Sequence, residues 1–236
     1  MCAVMDVKWI DGVLRMIYPQ VCEVCGRSLC RGEDVMCLHC LRQLPRVSSN
    51  GDDFNLLHER LASTVAIERA AGYFHYYKES PYVKLIHQAK YSSRPVVARK
   101  IARRFARELS LDGFFDGIDM IVPVPLHRWK LMRRGYNQSD YIARGIADVT
   151  GIEVSHSLVA SRGHATQTAR NSYQRWVNAG SVYELRDGAS VAGRHVLLVD
   201  DVITTGATLL ACCEAIHRVE PSARLSVLAL GVAHMS

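Results

Sequence analysis

No apolar run in this chain of 236 residues approaches the ~20 residues that a helix needs to cross a bilayer. Asp6, Lys8, Asp11 and Arg15 interrupt the amino-terminal stretch where a secretory signal would need an unbroken apolar segment. The sequence therefore predicts a cytoplasmic protein without membrane insertion. The pattern G-x-x-x-x-G-K-[ST] is missing, which excludes an ordinary P-loop NTPase. Neither sign of charge dominates: 29 Lys and Arg against 23 Asp and Glu give a formal net charge of +6, which permits a phosphorylated or nucleic-acid partner without requiring one. With 49% hydrophobic and 22% charged residues, the composition excludes a chain disordered throughout.

What the sequence does contain is concentrated in two places. The first is Cys22-Glu-Val-Cys25 followed, after eleven residues, by Cys37-Leu-His-Cys40. Each knuckle puts two thiolates on one tight turn, and four sulfurs make a closed tetrahedral zinc site, which is structural rather than catalytic. Reduced thiols or a disulfide pair are the alternative for this spacing. Cys30 and His39 stand outside the two knuckles as substitute ligands, and Cys2, Cys212 and Cys213 have no partner spacing and read as small core residues. Ahead of the knuckles, residues 6–18 place Ile10, Val13, Leu14 and Ile17 on one helical face, with Asp6 as cap and Pro19 beyond the end. This is an amphipathic helix for packing, or alternatively for a membrane surface. Few aromatics occur in this region, which argues against base stacking there.

The second place is residues 196–208, Val-Leu-Leu-Val-Asp-Asp-Val-Ile-Thr-Thr-Gly-Ala-Thr. Residues 196–199 are apolar throughout and too few for a helix core, so they read as a buried parallel strand. Two carboxylates and a Thr/Gly turn follow, and then Leu209, Cys213 and Ile216 recur at helical spacing. A loop between a parallel strand and its helix is where open α/β sheets bind ligands, and a helix start attracts phosphate. Gly206 permits close backbone approach, and Thr204, Thr205 and Thr208 can donate to phosphate oxygens. Asp200 and Asp201 would repel a phosphate unless ribose hydroxyls or a divalent cation intervene. An acidic pair capping an ordinary helix is the alternative.

Other segments complete an α/β pattern. Strands are expected over residues 72–77, 119–125 and 224–232, and helices over 82–88 and 96–109 and around Ile142, Ile146 and Val149. The outer side of the second helix carries Lys100, Arg103, Arg104 and Arg107, read as a solvated face or, second, as a track for a nucleic-acid backbone. Pro123 and Pro125 end one strand, and the dense basic run Arg128, Lys130, Arg133 and Arg134 leads to Gly135-Tyr-Asn-Gln138 at a helix start, where an anionic ligand can be met.

The run through Asp200, Asp201, Thr204, Thr205, Gly206 and Thr208 closely resembles the motif of type I phosphoribosyltransferases that binds 5-phosphoribosyl-1-pyrophosphate (PRPP). The Pro-x-Pro and Arg-Gly-x-Asn-Gln arrangement, together with the four-cysteine module, resembles one subfamily, the ComF-like proteins (ComFC and GntX relatives) associated with DNA uptake in natural competence. The resemblance implies an α/β type I phosphoribosyltransferase fold, a Rossmann-like parallel sheet with helices on both faces, preceded by a small zinc-ribbon-like module. Its expected limits are 1–48 for the module, 49–65 for a linker and 66–236 for the transferase domain. It further implies a PRPP site formed by Tyr91, Asp200, Asp201, Val202, Ile203, Thr204, Thr205, Gly206, Ala207 and Thr208, with Asp200, Asp201, Lys90 and Arg134 in catalytic roles. Lys90, expected in a loop, would grip the pyrophosphate. Arg162, Thr166, Gln167 and Arg175 would lie on a flexible loop closing over the site. The implied cofactors are structural zinc on Cys22, Cys25, Cys37 and Cys40, and Mg²⁺ accompanying PRPP. The implied reaction is displacement of pyrophosphate by a nitrogen nucleophile. The competing expectation is a PRPP sensor or a module binding single-stranded DNA or competence proteins.

Overall fold

The computed structural model describes residues 20–47, 58, 61, 65–91, 94–160, 182–186 and 190–233. The predicted helix over 6–18 and the expected loop residues Arg162, Thr166, Gln167 and Arg175 lie outside them, as does the Tyr91 side chain. The chain divides into two compact units, Met1–Leu44 and Pro45–Ser236.

In the first unit, Val21 and Ser28 form an antiparallel bridge around the first knuckle, and the second knuckle runs into a short helix, α1 (Leu38–Arg42). The Glu33 carboxylate accepts from the backbone N–H groups of Cys30 (2.6 Å) and Leu38 (2.7 Å), so one side chain anchors the linker between the knuckles to the start of α1. Among the described residues of this unit, the buried apolar ones besides cysteines are Val24, Val35, Met36, Leu41 and Leu44.

The second unit is built on a five-stranded parallel sheet in the order β1-β7-β6-β2-β3, with strands β1 (Arg69–Tyr76), β2 (Met120–Pro123), β3 (Glu153–Val154), β6 (His195–Ile203) and β7 (Arg224–Ala233). A separate antiparallel pair joins β4 (Leu158–Ala160) to β5 (Tyr183–Leu185). The helices are α2 (Val83–Tyr91), α3 (Pro95–Leu111), α4 (Arg128–Arg134), α5 (Gln138–Thr150) and α6 (Ala207–Val219). Residues 195–199 of β6 are buried without interruption, as expected for a strand covered on both faces. Met120, Val122, Val196, Leu198, Leu225 and Val227 share one cluster with Leu209, Cys212, Cys213 and Ile216 of α6. The alternating Ile121, Leu197, Val199 and Leu228 are buried on the opposite face, where α5 packs on β2 and β6 and α3 packs on α5. The fold is therefore an α/β sheet with helices on both faces.

Three local outcomes differ from the sequence pattern. The central strand does not stop at Val199: pairing with β7 continues through Asp200↔Ala229, Val202↔Gly231 and Ile203↔Val232, so both acids are strand residues. Lys90 is not in a loop but in the last turn of α2, since the next helix begins only at Pro95, a residue suited to a first helical turn. The basic run forms a helix of its own, α4, ended by Gly135 at φ 79°.

Candidate functional site

β2 leads to β3 on one side of the sheet, whereas β6 leads to β7 on the other, so the order reverses between β2 and β6. Ligands of open α/β sheets bind at the carboxyl ends of strands at such a point. There the structure opens a cavity of about 380 Å³ lined by Asp200, Asp201, Thr204 and Thr208 on one side and by residues of the β2–α5 segment on the other.

The β6 wall is acidic. Ser139 Oγ donates to Asp200 Oδ1 at 3.1 Å, and the Asp201 backbone N–H donates to the same oxygen at 2.8 Å. Burial, reinforced by the neighbouring Asp201 charge, nevertheless pushes the Asp200 carboxyl up from 3.8 to about 7. Lys90 Nζ stands 3.0 Å from Asp201 Oδ1, a partly buried ion pair that holds the second acid in place. Past the acids, Gly206 takes φ 79° as the cap of α6, a left-handed conformation that favours glycine, and a Cβ there would push aside the end of the Leu61 side chain at 2.7 Å. Thr204, Thr205 and Thr208 are exposed around this turn; the cap residue Gly206 offers no side chain, and the Ala207 N–H at the start of α6 donates to Thr205 Oγ1 at 3.4 Å.

The opposite wall is basic and is assembled by hydrogen bonds within the β2–α5 segment and to α2. Asn137 caps α5 by accepting from the Ser139 N–H (3.2 Å) and donates through Nδ2 to the Val124 carbonyl (2.9 Å), tying helix start to strand end. Tyr136 donates to the Ala89 carbonyl at 2.8 Å, which anchors the backbone next to Lys90. Arg134 donates to Gln138 Oε1 at 3.0 Å, and Lys130 and His127 line the same cavity. The structure thus brings together Lys90, Arg134, Asp200, Asp201, Val202, Thr204 and Thr208 around one cleft. Ser139, Lys130, His127 and Tyr183 join them without having been picked out from sequence as site residues. Proximity of Ser139 to the strongest motif's acid has no sequence signal, because 61 residues separate it from Asp200.

On the arginine stripe of α3, Arg103 lies 3.9 Å from Asp148 and Arg104 lies 3.4 Å from Glu108, but Asp148 is held more closely by Arg99 (2.7 Å) and Glu108 also pairs with Arg46, so the cations outnumber the acids that face them.

The four knuckle sulfurs, of Cys22, Cys25, Cys37 and Cys40, all lie within 4.8 Å of one another, while Cys30 and His39 stand outside the cluster. Tetrahedral zinc with bonds of about 2.3 Å requires sulfur pairs about 3.8 Å apart. Cys25 and Cys37 are 3.7 Å apart, far beyond a disulfide bond and close to that requirement. The Arg27 backbone N–H draws the Cys25 thiol down to about 6, favouring the thiolate that a metal needs. The donor set fits zinc.

A model of the phosphoribosyl transferase domain family matches residues 97–234, and the chain belongs to that family. Within it, the chain is similar to the DNA utilization protein YhgH of Escherichia coli K12, at 32% identity over 142 residues that make up 58% of this chain and 62% of the relative. It is also similar to competence protein F of Haemophilus influenzae, at 31% identity over 130 residues, 53% of this chain and 57% of the relative. The ComF resemblance read from the sequence is therefore met in these relatives, of whose length the chain spans less than two thirds. Among solved structures, an adenine phosphoribosyltransferase aligns with a TM-score of 0.39 at 20% identity, over 59% of this chain and 71% of its own. A hypoxanthine phosphoribosyltransferase from Trypanosoma cruzi aligns with a TM-score of 0.36 at 17% identity, over 58% and 66%. Among the described residues, no helix is long and apolar enough to cross a membrane.

Proposed function

We propose that the chain binds PRPP and transfers its phosphoribosyl group to a nitrogen nucleophile with release of pyrophosphate. One observation carries this reading: the cleft at the strand-order reversal is bipolar, with Asp200 and Asp201 on one wall and Lys130, Arg134 and Lys90 around the other. Acids accept from ribose hydroxyls and favour the positive charge that develops on the ring as the C1 bond to pyrophosphate breaks. The 5-phosphate is received by the exposed threonines and the start of α6, where it displaces the long Thr205 hydroxyl contact (3.4 Å) from the Ala207 N–H. Lys90 changes partners in this account, from Asp201 in the free protein to the pyrophosphate in the complex, so the acid is released for ribose as the ligand enters. Mg²⁺ bound with PRPP supplies further neutralisation of the leaving group. The acceptor has room in an adjoining groove of about 1220 Å³ that shares Pro125, Leu126 and Asn137 with the cleft.

Calorimetric titration with PRPP and Mg²⁺, with Asp200→Asn/Asp201→Asn as control, tests binding. Pyrophosphate release across a panel of nucleobases, ammonia and glutamine tests transfer. Equal PRPP affinity in the control would end this reading.

A second reading, in which the cleft senses PRPP and the protein works on single-stranded DNA, draws on α4. Trp129 and Met132 there are 54% and 82% exposed, and Arg128, Lys130 and Arg133 have no ion pair among the described residues. An exposed indole among cations, with Lys130 Nζ 5.8 Å from its ring centroid, is the composition of a base-stacking surface. Salt-dependent binding of an oligonucleotide that survives the double Asp substitution and is lost in Trp129→Ala would favour this reading, as would PRPP binding without turnover on any acceptor.

A further inference from the structure

His156 and Asp140 line the groove of about 1220 Å³ that adjoins the proposed PRPP cleft, and neither takes part in the account above. His156 follows β3, whose pairing with β2 is extended by the Ser155 N–H donating to the Ile121 carbonyl at 2.8 Å, so the imidazole stands just past the carboxyl end of that strand. Its Nε2 lies 2.6 Å from Asp140 Oδ1, and Arg144 Nη2 lies 2.8 Å from Asp140 Oδ2. Both carboxylate oxygens are therefore engaged, and the Asp140 side chain is only 14% exposed. A carboxylate can only accept, so in the neutral imidazole Nε2 carries the proton and Nδ1 keeps its lone pair. Nδ1 has no hydrogen-bond partner among the described residues. An ion pair at an exposed rim adds little to stability, so stability does not account for an imidazole clamped in this way beside a cavity.

We infer that His156 is the general base that takes the proton from a nitrogen acceptor in this groove, with Asp140 as its positioning residue, and that the acceptor is a neutral heterocycle with a ring N–H. The inference rests on the PRPP reading above and assigns the acceptor's deprotonation within it. β3 is separated from β6 by β2 alone, two strand spacings or about 10 Å, so a planar heterocycle over β2 would span from a ribose held at Asp200 to the imidazole. As the ring nitrogen bonds to C1, the C1–O bond breaks and its electron pair leaves with pyrophosphate. The N–H proton passes to Nδ1, and Asp140 stabilises the imidazolium that forms. The His156 side chain is 55% exposed, which lets the proton go on to water. A ring N–H needs this help because its lone pair is committed to the ring until the proton leaves; ammonia attacks through a free lone pair and sheds its proton afterwards. The other charged groups lining the groove are Arg128, Glu184 and Arg186, with the phenols of Tyr136 and Tyr141 beside them.

The test follows pyrophosphate release from PRPP and Mg²⁺ with adenine, hypoxanthine, uracil and ammonia as separate acceptors, in the full-length protein and two variants. With a ring base, His156→Ala is expected to lower kcat about a hundredfold or more and to abolish the acid limb of the pH–rate profile. PRPP affinity measured by calorimetry should stay within about twofold, and the ammonia-supported rate should fall less than about tenfold. Free imidazole should restore the His156→Ala rate about tenfold or more, a rescue that a merely structural role would not give. Asp140→Asn should fall between the wild type and His156→Ala and gain nothing from imidazole, because the ring still fills its place. Unchanged kcat with a ring base in His156→Ala overturns the assignment, as does a loss that imidazole does not restore. Turnover of ammonia without any ring base overturns it too, as does a wild-type protein that uses none of the four acceptors. Failure of the PRPP reading shows separately, as indifference of PRPP binding to the double Asp substitution.

Discussion

Two regions of this chain gather acidic side chains, with opposite results. In Met1–Leu44 four thiols converge on one another, with Cys22, Cys37 and Cys40 buried, and the cluster closes on its own centre. In Pro45–Ser236 two adjacent carboxylates face outward into a cleft and are held by Ser139, a backbone N–H and Lys90. The difference teaches that what decides role is whether the ligand set is complete. Four sulfurs satisfy zinc and leave no position for a substrate, which makes a brace. Two acids and a lysine leave capacity unfilled, which suits the cleft to the ligand proposed above. The supporting structure differs accordingly: the described part of the first unit has a handful of buried apolar residues, whereas the second has a parallel sheet buried on both faces.

The comparison breaks most visibly if the four sulfurs are denied a metal. Chelation, or Cys22→Ser, is expected to unfold the first unit, because metal binding in small four-ligand domains is worth on the order of 10 kcal/mol. Far-ultraviolet circular dichroism and limited proteolysis would read the loss, and PRPP affinity should change much less than stability. One zinc per chain is expected by metal analysis after purification without chelators, and a chain without any would remove the brace.

Asp200→Asn/Asp201→Asn should act in the reverse sense. PRPP affinity is expected to fall about a hundredfold, as two or more hydrogen bonds to charged groups are lost. The thermal midpoint should hold or rise, because a repulsive, partly desolvated pair is removed from a site shaped for function. A large drop in midpoint with intact affinity would make the acids structural like the sulfurs.

Lys90→Met sharpens the contrast further. It should weaken PRPP binding about tenfold through loss of one charged contact. Gly206→Ala should cost about 1–2 kcal/mol of stability from the left-handed backbone alone, measured by urea denaturation, with the Leu61 contact adding to it.

The two regions of the second unit also part in the pH dependence of stability. The folded state holds a proton on Asp200 up to about pH 7, whereas the unfolded carboxyl releases it near 3.8, so stability from this group is complete at low pH and declines as pH rises between these values. His195, buried at the amino end of β6, behaves oppositely: burial lowers it from 6.5, so the unfolded state takes up the proton first and stability declines as pH falls below 6.5. Urea midpoints across pH should show both limbs, and Asp200→Asn should remove the first while sparing the second.

The contrast between the regions also separates what was readable in advance. The four-cysteine cluster and the strand, acid pair, glycine turn and helix of residues 195–219 were legible, because each is contiguous or nearly so and is specified by local spacing. The buried strand at residues 196–199 was recognisable but its length was not, since its extension through Ile203 depends on pairing with β7, whose small Ala229 and Gly231 lie beside Asp200 and Val202. Lys90 was marked as a ligand residue, but its position on a helix and its bond to Asp201 were not, because nothing near it in the chain encodes a partner more than a hundred residues away.

By itself the sequence determined the family, the sulfur ligands and the acids, threonines and glycine of one wall, for these follow from turn chemistry and hydrophobic period within a few residues. Only the tertiary structure decided the opposite wall. Ser139 reaches Asp200, Gln138 is buried with an unmatched donor, and Lys90 occupies Asp201 because a parallel sheet must cross over between strands, and its reversal between β2 and β6 brings remote helix starts to one crevice.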